Sequence, residues 1–89
     1  MAKKRRKLNK DFEKKIYSSK KNVELVLAKI YDIDDEDIQK EYISAFNKVV
    51  NLYDQINQDY EKQGFNENSE ELHKDYKNAL NLFESEFEI

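Results

Sequence analysis

Proline is absent from this chain and glycine occurs once, at Gly64. A β-rich domain of 89 residues would need several tight turns. Tight turns draw on glycine for positive φ and on proline for a preset φ. Helix interiors want neither residue. The sequence therefore predicts an all-α protein whose one glycine serves one connection.

Apolar spacing places the helices. On a wheel of 100° per residue, Leu8, Phe12, Ile16, Val23, Val26, Leu27 and Ile30 fall within about a 100° arc. They predict a first helix over 9–31, starting as early as Lys4 if the segment before it is helical. Asp34 reads as the N-cap of the second helix, with Asp37 at N3 and Ile33 packing on Ile38 as a hydrophobic staple. The carboxylates of residues 34–37 then complement the helix dipole.

The second helix is predicted over 35–62. Ile38, Tyr42, Ala45, Val49, Leu52, Tyr53, Ile56 and Tyr60 form its main stripe, widened by Ile43, Phe46 and Val50. So broad a stripe needs two neighbours, which makes this the central helix. Gly64 fits the C′ position, with Phe65 contacting Tyr60 in a Schellman ending. Asn68 with Glu71 reads as a variant capping box for a third helix over 69–87. Leu72, Tyr76, Ala79, Leu80, Phe83 and Phe87 keep one face of that helix apolar. Short connections give an antiparallel three-helix bundle. The alternative is a long helical hairpin that dimerises. Residues 1–8 form a basic N-terminal segment, or the first turns of the first helix, and 9–89 the three-helix domain.

Charge is unevenly divided. Residues 1–21 carry ten Lys/Arg against two acids, while residues 22–89 carry six lysines against seventeen acids. Opposed blocks of this kind mark interaction surfaces. With an early helix start, Lys3, Lys7, Lys10, Lys14 and Lys21 share one ridge about 180° from the Phe12/Ile16/Val23 stripe. Tyr17 lies on that ridge. Together with Lys4, Arg5 and Arg6, these residues are the candidate nucleic-acid or anion-binding set. Lysines would contact phosphates, and Tyr17 would stack on a base or fill a partner pocket. Leu82, Glu86 and Ile89, lying off the core face of the third helix, are the candidate protein contact.

Catalytic patterns are sparse. There is no cysteine and one histidine, His73, so Cys–His chemistry and His-rich metal sites are ruled out. Glu70-x-x-His73 is half of a di-iron bundle motif and lacks its second half. Counted from Asp32, the Asp32–Asp37 cluster puts Asp37 and Ile43 where a calcium loop needs Gly and Glu. His73 reads as a surface histidine, and Ser18-Ser19 as lacking a partner base. No catalytic residue, metal or cofactor is expected, and no small-molecule substrate. Residues 8–22 are too polar for a signal-peptide core and no stretch is apolar enough to span a bilayer, so the expected location is the cytoplasm.

The function these features predict is non-enzymatic. A small helical protein would dock on a nucleic-acid-handling complex, as a monomer or homodimer with a protein partner. It would act there as a phage or mobile-element regulator or inhibitor, its basic first helix on phosphates. The alternative is a pure protein-binding inhibitor, immunity or antitoxin module with no nucleic-acid contact.

Overall fold

In a computed structural model that describes residues 7–87, three helices follow one another: α1 Lys10–Tyr31, α2 Glu36–Gln63 and α3 Ser69–Phe87. Helix α2 packs against both of the others, as its broad apolar stripe requires. The bundle is a slender rod, 57 × 21 × 18 Å. A rod this thin has room for a single file of large core side chains.

Phe12, Ile30, Phe46, Val49, Ile56 and Tyr76 make up that file, each 2% exposed or less. Aromatic rings lock both ends. At one end Phe12 meets Phe65 at 5.3 Å and Tyr60 at 5.7 Å between centroids. At the other, Phe83 meets Phe46 and Phe87 at 4.9 Å, and Tyr42 meets Phe87 at 4.7 Å. Offset and edge-on pairs of this kind add about 0.5–1.5 kcal/mol each beyond area burial.

Two residues leave the core that spacing assigned to them. Leu8 is 65% exposed and Ile38 is 44% exposed. Leu8 precedes α1, because Asn9 caps that helix: its side chain accepts the Phe12 amide at 3.0 Å. The early start at Lys4 is thus overturned. Ile38 stands in the first turn of α2, whose N-cap is Asp35, not Asp34. The Asp35 carboxylate accepts the amides of Asp37 and Ile38. This one-residue shift puts Ile33 and Ile38 out of the N′ and N4 positions, and the predicted staple is lost. Gln39 closes the gap instead. The two hydrogens of its amide are shared among the carbonyls of Ile30, Tyr31 and Ile33 at 3.3–3.4 Å, tying the start of α2 to the end of α1 and the connection after it.

The α2–α3 turn also differs from expectation. Gly64 adopts φ 72° and ψ −162°, a region essentially reserved for glycine. The Phe65 amide does not return to α2 as a Schellman turn would have it. It donates to the Lys7 carbonyl at 2.6 Å, and Lys7 and Gly64 form an isolated parallel bridge. Phe65 packs on Phe12. In place of the Asn68–Glu71 exchange, Asn66 Oδ1 accepts the Asn68 amide and Ser69 Oγ accepts the Asn66 amide.

Candidate nucleic-acid interface

Wheel geometry sets the outer face of α1. With Phe12, Val23, Val26 and Ile30 buried against the bundle, the opposite side must face solvent. Lys10, Lys14, Tyr17 and Lys21 all lie there and are exposed. None of the three lysines is in an ion pair with another described residue. Their ammoniums are therefore not paired at contact distance among the described residues, and the exposed acids one turn away, Glu13 and Glu24, act on them through solvent and salt.

The predicted ridge is shorter than its sequence pattern. Lys7 is exposed but belongs to the extended segment bridged to Gly64, so it does not continue the helical row. Lys3, Lys4, Arg5 and Arg6 lie outside the described residues, as does Ile89. Tyr17 is 58% exposed, but the Lys21 ammonium sits 5.4 Å from its ring centroid. One face of that ring carries a cation–π partner, so a base stacking on that face must displace Lys21.

Lys15 and Lys77, which the ridge argument did not use, join Lys14 in a second feature. Helices α1 and α3 run side by side, and their side chains meet along a groove of about 260 Å³ that Lys14, Lys15, Ser18, Asn22, His73 and Lys77 line. Lys15 reaches across to Glu70 at 3.3 Å. The sequence hides this grouping because its members are some 55 residues apart. Only the spacings within each helix, Lys14, Ser18 and Asn22 on α1 and His73 and Lys77 on α3, follow from the sequence.

His73 is not the surface histidine expected. It is half-buried, with its ring edge-on to Phe12 at 6.1 Å and tilted on Tyr76 at 5.9 Å. Desolvation, then the positive charges of Lys15 and Lys77, push its pKa below 6.5, outweighing the opposite pull of Glu70. Ser19 does have a base beside it, contrary to expectation: its Oγ lies 3.5 Å from His73 Nε2. Yet Ser19 is buried and its hydroxyl donates to the Lys15 carbonyl at 2.8 Å. With that proton directed to the Lys15 carbonyl, Oγ is left only its acceptor capacity toward Nε2. This arrangement is the reverse of an activated nucleophile, in which the imidazole accepts the hydroxyl proton. Tyr76 completes the packing, its hydroxyl donating to the Ser19 carbonyl at 3.3 Å. Burial raises the Tyr76 pKa.

On α3, Leu82 is 58% exposed and lines a shallow groove with Glu86, over the small residues Ala45 and Ala79. The structure thus brings two of the three predicted protein-contact residues together. The Asp32–Asp37 cluster sits on the α1–α2 connection, where Asp35 works as a cap. Among the described residues, no group of three or more His, Asp or Glu side chains converges on a common point. None of their helices is long and apolar enough to cross a membrane.

No family model matches the chain, and neither a curated protein nor a solved structure does.

Proposed function

We propose that this chain is a non-catalytic docking module of a nucleic-acid-handling complex, the outer face of α1 contacting phosphates and the acidic faces of α2 and α3 contacting protein. A phage or mobile-element regulator or inhibitor is the setting in which we place it. The observation that carries the reading is the row of Lys10, Lys14 and Lys21, exposed on one side of a folded helix and free of ion pairs among the described residues. Phosphate contacts need ammonium groups that are not already neutralised, since their gain comes from counterion release. Helix α1 holds the row rigidly, so the lysines meet a polyanion with little ordering cost to the backbone.

Filter binding of the full chain to a duplex DNA across a salt series tests this. Each phosphate contact contributes about −0.9 to the slope of log K against log salt. Changing Lys10 and Lys21 to Gln is expected to flatten the slope by about 1.8. An unchanged slope and affinity would remove α1 from the interface.

A second reading, a purely protein-binding inhibitor or immunity module, is supported by Leu82, exposed beside Glu86 above Ala45 and Ala79. Shortening the chain to begin at Asn9 would not separate the two readings. It removes the Lys7 carbonyl that holds the Phe65 amide and so perturbs the fold along with the charge. Charge-only substitutions are the cleaner comparison. Under the second reading, K10Q/K21Q leaves partner binding intact and no nucleic acid binds.

A further inference from the structure

The α1–α3 groove differs in charge from the grooves flanking α2. On the α2–α3 side, Asp59, Glu71 and Asp75 line a depression of about 450 Å³, and Glu13 stands in the α1–α2 groove. Between α1 and α3 no carboxylate among the described residues lines the depression. Glu70 stands beside it, bound to Lys15.

Its walls are two rows at helical spacing. Lys14, Ser18 and Asn22 follow one another every four residues along α1, so they form a single ridge. His73 and Lys77 do the same on the facing side of α3. One wall offers an ammonium, a hydroxyl and an amide; the other offers an imidazole edge and an ammonium. Lys14 stands in both the groove and the outer row of α1. The groove therefore continues the basic face.

We infer that the α1–α3 groove seats one backbone phosphodiester of the nucleic acid that lies along α1, held between Lys14 and Lys77 with Ser18 and Asn22 donating to its oxygens. This assignment rests on the nucleic-acid reading given above and names the place where that ligand is gripped. The donor set selects phosphate. Lysine ammoniums act as point charges that suit a tetrahedral anion, whereas planar carboxylates are favoured by the arginine fork, which none of the described residues supplies to the groove. Burial first, and then the positive charges of Lys15 and Lys77, hold the His73 pKa below 6.5.

The test is a set of ¹H–¹⁵N titrations of the full chain with a 16-base-pair DNA duplex and, separately, with inorganic phosphate, each against sodium chloride at equal ionic strength. DNA is expected to shift the amides of Ser18, Asn22, His73 and Lys77 saturably. K77Q, an exposed-site change, is expected to weaken DNA binding roughly tenfold, the loss of one charge-assisted hydrogen bond. K40Q, on an exposed position of α2, serves as the control and should leave affinity unchanged. If DNA binds through the outer lysines while K77Q matches the parent and the groove amides stay still, the groove assignment fails and the α1 reading survives. If DNA does not bind at all, that reading fails and takes the phosphodiester assignment with it. Groove shifts with inorganic phosphate alone would then mark a free-anion site and equally overturn the nucleic-acid assignment.

Discussion

The Tyr60 hydroxyl accepts the Asn9 backbone amide at 3.0 Å and donates to Glu13 Oε2 at 2.5 Å. One phenol at the end of α2 thus holds both the cap residue of α1 and a side chain of its first turn. Residues 51 and 47 positions apart in sequence become a single joint. Removing only the oxygen, by Y60F, should leave the ring packing on Phe12 and lower unfolding free energy by about 1–3 kcal/mol for two hydrogen bonds, one of them to a carboxylate. Urea denaturation measures this. An unchanged midpoint would show that the joint adds nothing.

Gly64 is the next place where a small change should have a clear cost. Its φ of 72° with ψ of −162° is hostile to any residue with a Cβ. G64A is expected to destabilise by about 1–3 kcal/mol. It should also weaken the bridge to Lys7, seen as faster hydrogen exchange at the Phe65 amide. A stable G64A protein with that amide still protected would contradict the account of the turn.

Core and surface should separate cleanly on α2 and α3. F46A removes a ring that is 1% exposed and should cost about 3–5 kcal/mol. L82Q changes a residue that is 58% exposed and should stay within about 0.5 kcal/mol. Thermal or chemical melts of the two variants compare them directly. A large loss from L82Q would mean that this leucine is covered, for instance by a second copy of the chain.

His73 gives the fold a pH dependence whose sign is fixed. Its pKa in the folded protein lies below the 6.5 of the free side chain, so the unfolded chain takes up the proton first. Neutral His73 therefore contributes stability that is complete above pH 6.5 and lost as pH falls through the lower, folded value. In H73Q this component disappears. Between about pH 8 and 5, the parent should lose more stability than H73Q, with the gap opening on the acid side. Parallel pH profiles would remove His73 from the linkage.

Much of the fold was open to reading because it depends on near neighbours in sequence. Phe12, Val23, Val26 and Ile30 share a face at helical spacing and are buried together. The breadth of the α2 stripe announced two neighbours. Errors fell where neighbouring residues are chemically alike. Asp34 and Asp35 both suit an N-cap, and in the bundle it is Asp35 that accepts the Asp37 and Ile38 amides. Leu8 looked like core because nothing local shows that the chain turns extended before Asn9.

The candidate site was legible by halves. Lys10, Lys14 and Lys21 follow from periodicity alone, because a buried inner face dictates its opposite. Lys15, His73 and Lys77 do not, since their grouping depends on which sides of α1 and α3 meet. Ser19 shows why. A small polar residue at the middle of α1's inner face is unremarkable in sequence. In the bundle its carbonyl accepts the Tyr76 hydroxyl and its side chain lies beside the His73 ring.

Sequence by itself determined that this chain is helical, where its three helices run, and which side of α1 carries unburied positive charge. Those are properties of residues within a few turns of one another, governed by backbone propensity and helical period. Tertiary structure alone decided that Lys7 pairs with Gly64, that Tyr60 ties down Asn9, and that lysines of α1 and α3 share a groove. Contacts between distant segments depend on how the helices rotate and register as the core closes, and no local pattern encodes that.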